Sequence, residues 1–266
     1  MSLLVRTWNV FHGNSSPPGR RAHLRTMLEL ALADDPDVLC LQELPAWALP
    51  LVARWTKREV ATAQARPAGV RRVRLPAGVG RGLTAPHHGV IRSAFSGQGI
   101  ATVVTPRLEL AEQHVLPLNP AAFRSERGED LGLDRGTLRV WARERRVAQA
   151  VVLRGDRELV VANLHATSAR DRRLADAELA RAAAWAAELA GGRPLVLCGD
   201  FNVEPERSAT LTALSADGFS PPAAGIDHVL AHGLELERGP EAWPEDRRRR
   251  NGLLLSDHAP VEAVLA

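Results

Sequence analysis

Short apolar runs separated by turn residues dominate the chain and predict many strands. Before residue 170 the predicted strands are LLVRTWNVF, PDVLCLQEL, GVIRSAF, GIATVVTP, LELAEQHVL, LRVWARE, RVAQAVVLR and ELVVANLHA. After residue 190 they are PLVLCGDFN, IDHVLAHG, LELERG and HAPVEAVLA. Most of these runs are joined by short turns, which indicates antiparallel neighbours.

Apolar positions at helical spacing predict fewer helices. The first is RRAHLRTMLELALAD, and a second is predicted around Pro45 to Lys57. A long helix is predicted in ARDRRLADAELARAAAWAAELAGG, with its stop at Gly191 and Gly192, and a short one near Glu206 to Leu214. The Gly-, Pro- and Arg-rich stretch from Arg66 to His88 has no predicted element. This order favours two packed sheets covered by helices.

The composition is that of an ordinary globular chain, with 266 residues, 45% hydrophobic and 24% charged. No repeat and no long linker divides it, so we expect one domain over residues 1–266. No apolar stretch approaches the roughly 20 residues of a membrane span, and no signal-peptide pattern follows the first residue. We therefore expect a cytoplasmic protein without a membrane span. Both cysteines lie in apolar runs and are interpreted as buried and reduced.

The net charge does not alter this interpretation, and only one local cluster of charge is informative. It is +3 although the pI is about 9.6, because the chain has no tyrosine and its 34 basic residues are nearly all arginine. One cluster stands out, and we interpret it as a candidate for binding substrate phosphates: Arg247, Arg248, Arg249 and Arg250. A solvated loop in an arginine-rich chain is the alternative interpretation.

Polar side chains end six of the predicted strands. Alternation along a strand places Asp200 and Asn202 on the same side, with Phe201 on the other. A turn cap would explain one or two such residues, but six strand ends together predict one shared site at the rim of the sheets. The residues concerned are Asn9, Glu43, Asn163, His165, Asp200, Asn202, Asp227, Asp257 and His258.

The motifs LQE, GDFN and SDH, in that order between Asn9 and His258, resemble the endonuclease/exonuclease/phosphatase superfamily. The resemblance implies an α/β fold of the deoxyribonuclease I type. This fold is a four-layer α/β/β/α sandwich of two packed, mixed, largely antiparallel sheets flanked by helices. It also implies a Mg²⁺-dependent phosphoester hydrolase site where the two sheets meet.

On this resemblance Glu43 is the principal metal ligand, with Asn9 and Asp257 near the metal. The chemistry agrees, because Mg²⁺ prefers carboxylate and amide oxygens, and no thiolate or histidine cluster at zinc spacing competes. Asp227 is expected to orient His258, since a carboxylate fixes one imidazole tautomer and raises its proton affinity. The pair would then act as a general base or as an electrostatic clamp.

Three further residues are assigned to the water and the phosphate by the same resemblance. Asp200 and Asn202 are expected to contact the attacking water and the phosphate, and His165 faces the phosphate. The apurinic-site branch commonly has a tyrosine at the position of His165, so its absence favours the deoxyribonuclease, sphingomyelinase or general phosphatase branches. Asn163 is a candidate for substrate binding, and a brace to a neighbouring loop is its alternative interpretation. The remaining histidines match nothing in the family pattern and are interpreted as surface or loop residues: His12, His87, His88, His114 and His232.

The sequence thus predicts a Mg²⁺-dependent phosphodiesterase or endonuclease that acts on nucleic acid, with Mn²⁺ as a substitute metal. One alternative is a phosphatase or phospholipase-type hydrolase of a small or lipid phosphoester, such as sphingomyelin or an inositol phosphate. Another is an inactive family member that serves as a binding scaffold. No protein partner is inferred, and the number of metals and the oligomeric state stay open.

Overall fold

The computed structural model describes residues 2–65, 77–92 and 97–266. The strands of these ranges are β1 (Leu3–Asn9), β2 (Ser15–Ser16), β3 (Val38–Pro45), β4 (Glu59–Gln64), β5 (Gln98–Val104), β6 (Glu109–Pro117), β7 (Val147–Arg154), β8 (Glu158–His165), β9 (Leu195–Asp200), β10 (Asp227–His232), β11 (Leu236–Ala242), β12 (Arg249–Arg250), β13 (Leu253–Leu255) and β14 (Val261–Leu265). The helices are α1 (Leu24–Ala31), α2 (Leu49–Thr56), α3 (Ala77–Thr84), α4 (His88–Ile91), α5 (Ala121–Asp130), α6 (Arg135–Arg143), α7 (Arg172–Ala190) and α8 (Ala209–Ala216).

Two large mixed sheets form the centre of the molecule, as the sequence predicted. The first has the strand order β11-β14-β1-β3-β5-β4, and the second has the order β10-β9-β8-β7-β6. Each contains one parallel pair, β1 with β3 and β8 with β9, and its other pairs are antiparallel. Because parallel strands end at the same edge, each parallel pair delivers two strand ends to one rim. A small third sheet has the order β12-β13-β2.

The inner faces of the two sheets meet in an apolar core that becomes polar towards the rim. Val5 of the first sheet packs in one buried cluster with Val161 and Val196 of the second. Nearer the rim, Gln42 Nε2 donates to Asn163 Oδ1 at 2.8 Å, so buried amides join the sheets directly. Buried polar groups are costly unless they are hydrogen-bonded, so this contact disfavours sliding of one sheet on the other.

Helices cover the outer face of each sheet. Leu179 and Ala182 of α7 pack on Leu164 of β8, and the helix ends at Gly191 in the left-handed conformation, with φ of +55°. Gly191 thus ends the helix where the sequence predicted. On the opposite side, Leu28 of α1 packs on the first sheet. The described helices are all too short or too polar to cross a bilayer.

Two of the predicted strands are helical in the structure. LRVWARE lies largely in α6, because Leu138 and Trp141 are three residues apart and share one helix face, and Trp141 stacks edge-on against Phe123 of α5 at 5.8 Å. Asp134 caps this helix by accepting from Thr137 N at 2.9 Å. GVIRSAF contributes to α4, and its last three residues, 93–95, lie outside the described ranges, as do residues 66–76 of the unassigned stretch. The sequence missed α5 and β4.

Glu178 of α7 is a fully buried carboxyl away from the rim. It accepts hydrogen bonds from Trp141 Nε1 and from both the backbone N and Oγ1 of Thr167. Burial nevertheless raises the pKa of Glu178 to about 7, from an ordinary value of 4.5. Folding therefore favours its protonated form. Its contribution to stability is fully present below pH 4.5 and is lost as the pH rises through 7.

We predict that this contribution to the free energy of unfolding declines by up to about 3 kcal/mol between the two pKa values. The measurement is urea denaturation from about pH 5 to pH 8, comparing wild type with Glu178→Gln. The variant carries a constant penalty, because its amide faces the Thr167 N–H, but the difference from wild type should shrink as the pH rises. Glu188→Gln, an exposed change on the same helix, is the control, and a difference that does not vary with pH would contradict the assignment.

Candidate active site

The strand ends named by the sequence meet at one rim between the two large sheets. The parallel pair β1 and β3 delivers Asn9 and Glu43, and the parallel pair β8 and β9 delivers His165 and Asp200. Asp227 begins β10 directly opposite Asp200 in the antiparallel register. These side chains converge because the two parallel pairs, one in each sheet, end at the same rim.

A hydrogen bond between Asn9 and Asp200 closes the rim across the two sheets. Asn9 Nδ2 donates to Asp200 Oδ2 at 2.8 Å, and both residues are buried. The backbone N of Asn202 donates to the other oxygen of Asp200 at 3.0 Å. Burial, followed by the charge of Asp227, raises the pKa of Asp200 to about 7. Asn9 Oδ1 in turn accepts from Phe11 N, which fixes the amide group, so that Asn9 orients Asp200. The place of Asn9 among the metal ligands stays a prediction.

Asp227 and His258 form the predicted pair. His258 Nδ1 and Asp227 Oδ2 are 2.7 Å apart, and His258 Nε2 lies 3.9 Å from Asp200 Oδ2. Burial alone would lower the pKa of His258, but the hydrogen bond and charge of Asp227, with the charges of Asp200 and Asp257, raise it to about 10. The imidazole is therefore charged at neutral pH, which favours the electrostatic clamp over the general base.

Glu43 is held in a strained backbone conformation between two histidines. Its φ of +54° lies in the left-handed region that residues other than glycine rarely adopt. His12 Nε2 lies 3.2 Å from Glu43 Oε2, and His165 Nε2 lies 3.7 Å from Glu43 Oε1. His12 also has a positive φ, of +55°, and its carbonyl accepts from His88. The interpretation as a surface or loop residue is wrong for His88, which is buried in α4, whereas His12 does lie in the loop after β1, whose tight turn brings it to Glu43.

His165 is buried beside Arg146, which the sequence analysis missed. Arg146 Nη1 lies 3.3 Å from His165 Nδ1, and a guanidinium can only donate, so this nitrogen is the acceptor. Burial, followed by the charge of Arg146, lowers the pKa of His165 well below its usual range, so the ring is neutral with its proton on Nε2. Only the pairing of β7 with β8 shows that these two residues are neighbours.

Asn163 is not placed to contact a substrate. The side chain is fully buried, and besides accepting from Gln42 it donates from Nδ2 to Ala101 O at 3.0 Å. Both partners belong to the opposite sheet, so Asn163 braces the two sheets instead. Its predicted role in substrate binding is corrected on these contacts.

The four consecutive arginines do not form one free cationic patch. Arg248 is buried and donates to Ser256 O at 2.8 Å, and Arg247 stacks on Trp243 at 3.6 Å and pairs with Glu262. Arg249 and Arg250 are exposed. The predicted contribution of Arg248 to a substrate groove is replaced by a structural one, because its guanidinium group holds the chain before Asp257 and His258. The roles of Arg247, Arg249 and Arg250 in substrate binding stay predictions.

The donor set fits a hard divalent cation. Glu43 is partly exposed and Asp257 is exposed, and after burial the charge of Glu43 contributes to raising the pKa of Asp257. The buried polar atoms around the rim that have no hydrogen-bond partner among the described residues include His165 Nε2 and Asp227 Oδ1. A second group that could hold an ion consists of Asp200, Asp227 and His258, with ligand atoms within 4.8 Å of one another. Carboxylate oxygens with room for water suit Mg²⁺.

Comparison with known proteins agrees with this geometry. A family model described as "Endonuclease/Exonuclease/phosphatase family" matches residues 7–258. The catalytic domain of human nocturnin with bound sulfate is 19% identical with a TM-score of 0.61, over 100% of this chain and 93% of that one. No curated protein matches.

Two further solved structures share the fold. ANGEL2, a 2′,3′-cyclic phosphatase in complex with adenosine-2′,3′-vanadate, is 14% identical with a TM-score of 0.65, over 100% of this chain and 95% of that one. A mannosyl-6-phosphatase from Bacteroides thetaiotaomicron is 15% identical with a TM-score of 0.64, over 99% of both chains. At these identities, the likeness is one of fold.

We predict that Asp227→Asn lowers the pKa of His258 by at least about 1 unit, because the imidazolium loses its charged partner. The measurement is an NMR titration of the imidazole nitrogens in metal-free protein. Asp217→Asn, which changes an exposed carboxylate, is the control and should leave the titration as in wild type. A pKa of His258 that stays near 10 in Asp227→Asn would contradict the pairing.

Proposed function

Since the chain belongs to the endonuclease/exonuclease/phosphatase family, whose members are phosphoester hydrolases, we propose that it is a Mg²⁺-dependent phosphodiesterase that acts on nucleic acid. Mn²⁺ is the expected substitute metal. We further propose that residues 1–266 form one catalytic domain that acts in the cytoplasm. In support of a single domain, the rim combines segments from both ends of the chain, the strand β1 and the loop before β14.

The observation that carries the proposal is the arrangement of Asp200 beside the charged pair of His258 and Asp227. A phosphodiester is anionic and repels hydroxide, so its hydrolysis needs a base for the attacking water and positive charge for the phosphate. The pKa of Asp200, at about 7, matches a general base at neutral pH. The imidazolium of His258 stabilises the negative charge that develops on the phosphate oxygens.

Neutral His165 and Asn202 complete the polar lining. His165 carries its proton on Nε2, at the atom that faces Glu43 and Asp200, and offers a hydrogen bond there. Asn202 Nδ2 donates to Ala166 O at 3.1 Å, which holds the side chain in place. Both groups are positioned before a substrate binds, so little reorganisation is needed in the reaction.

Glu43 and Asp257 are the residues that would hold Mg²⁺. When bound, the ion supplies positive charge to a phosphate oxygen and lowers the pKa of a bound water. The strained backbone at Glu43 supports this role, because strained conformations that the surrounding structure enforces cluster at functional sites.

Nucleic acid is preferred over other phosphoesters on two grounds. Arg249 and Arg250 are exposed shortly before the catalytic loop, with Arg250 seven residues before Asp257, and one structural neighbour binds an adenosine derivative. A small phosphoester is the second candidate, because Arg247 and Arg248 are used inside the protein and another neighbour is a sugar phosphatase.

The testing experiment is a panel of substrates with purified protein and Mg²⁺ or Mn²⁺: duplex DNA, single-stranded DNA and RNA, sphingomyelin, inositol phosphates, mannose 6-phosphate and bis(p-nitrophenyl) phosphate. The proposal expects metal-stimulated cleavage of a nucleic acid with the highest kcat/KM. Preferential hydrolysis of mannose 6-phosphate or another monoester would favour the second candidate instead.

For Glu43→Gln we predict a loss of metal-stimulated turnover on the order of 100-fold or more, because a charged ligand is replaced by a neutral one. The fold should survive, since the residue lies at the rim and the side chains have the same shape. Turnover is measured together with Mn²⁺ binding by calorimetry, and Glu29→Gln, an exposed change on α1, is the control. Wild-type turnover and Mn²⁺ affinity in the variant would refute the assignment of Glu43.

A further inference from the structure

Helices α3 and α4 form a segment that docks on the loop after β1. Gly89 N donates to Gly19 O at 3.0 Å, and the buried His88 donates from Nε2 to the carbonyl of His12. A Cβ at Gly89 would lie only 2.6 Å from Gly19 O, so the close approach needs a glycine. The segment is thus fixed against the same turn that carries His12 to Glu43.

Arg92, at the end of α4, is exposed and fixed on one side only. Its Nε donates to Gly89 O at 3.1 Å, and its Cζ lies 4.6 Å from the centroid of the Phe11 ring. Within the described ranges no carboxylate lies at ion-pair distance from Arg92, and its Nη atoms have no hydrogen-bond acceptor. The backbone of Arg92 is left-handed, with φ of +40°. The result is an oriented guanidinium that no described carboxylate neutralises.

The ring under Arg92 belongs to the loop that builds the active site. Phe11 N donates to Asn9 Oδ1 at 3.0 Å, and Asn9 in turn holds Asp200. On the other side of Phe11, His12 contacts Glu43. Arg92 therefore stacks on the turn that links these two rim contacts.

The sequence around this segment is rich in arginine and lacks acidic residues. Residues 60–108 contain seven arginines and no aspartate or glutamate. Arg107 pairs with Asp37, whereas Arg81 and Arg92 each lie over an aromatic ring and pair with none of the described carboxylates, Arg81 at 5.7 Å from Trp47. Of these two, Arg92 is the one that stacks on the turn beside the rim, where its charge attracts an anionic substrate.

We propose that Arg92 binds a non-scissile phosphate of the substrate, next to the one that is hydrolysed. This inference rests on the proposed action on nucleic acid, in which the scissile phosphate has neighbours along the strand. A guanidinium whose two Nη groups bind none of the described residues matches the oxygens of a phosphate in a bidentate hydrogen bond. Stacking on Phe11 lowers the entropy lost on binding, because the side chain is already oriented.

The test compares Arg92→Gln with Arg81→Gln, which changes another exposed, ring-stacked arginine of the same segment. A fluorescein-labelled single-stranded 12-mer serves for binding in EDTA over a salt series and for hydrolysis with Mg²⁺. Thymidine 5′-(p-nitrophenyl phosphate), which has no neighbouring phosphate, serves as the second substrate. Circular dichroism and thermal melting confirm that both variants are folded.

For Arg92→Gln we expect KM for the 12-mer to rise about 10-fold, with a smaller change in kcat and a smaller effect on the nitrophenyl ester. The slope of log affinity against log salt should flatten by about 0.7 for each phosphate that the variant no longer neutralises. Arg92→Lys should restore the salt slope but only part of the affinity, because it keeps the charge without the bidentate hydrogen bond. Arg81→Gln should behave as wild type.

Two results would overturn the inference in different ways. If wild type cleaves neither the 12-mer nor any other nucleic acid of the substrate panel, the proposed function fails and this inference fails with it. If wild type cleaves the 12-mer and Arg92→Gln matches Arg81→Gln, or is impaired equally on both substrates, only the assignment of Arg92 to a neighbouring phosphate is wrong.

Discussion

The hydrogen bond between Asn9 and Asp200 is the contact on which the site depends, because it joins the ends of two strands from different sheets. It can form only if the sheets keep their relative position, which the apolar core and the buried contact of Gln42 with Asn163 maintain. Each parallel strand pair then supplies two side chains to the same rim. The arrangement of these four side chains is therefore a consequence of how the sheets pack.

Burial at this rim separates the protonation states of neighbouring groups. Asp200 and His165 lose charge on burial, whereas His258 keeps its charge because Asp227 outweighs the same effect. A carboxyl group with a pKa near neutrality, a neutral hydrogen-bond donor and a cation thus lie side by side. At the surface, Arg92 adds a positive charge that pairs with none of the described carboxylates and lies over Phe11 of the loop after β1.

Sequence reasoning predicted the two sheets, the long helix and the group of strand-end residues, because alternation and spacing are local properties. It also paired Asp227 with His258, but only through the family resemblance, since 31 positions separate them. It missed Arg146 and the contact of His12 with Glu43, because the first acts through a neighbouring strand and the second through a left-handed turn. It predicted a strand for the α6 region because the packing partner of Trp141, Phe123, is distant in the chain. It assigned Arg248 to the substrate because the burial of that side chain depends on backbone carbonyls that no pattern reveals.

The most direct test of the account is the position of the metal. Crystals of the wild-type protein soaked with Mn²⁺ and inorganic phosphate would show the ion by anomalous scattering. The account predicts an ion bound by Glu43 and Asp257, with the phosphate against His165 and His258, and Asp227 still paired with His258. An ion bound within the group of Asp200, Asp227 and His258, with Glu43 free, would contradict it, because the base and the imidazolium would then both be metal ligands.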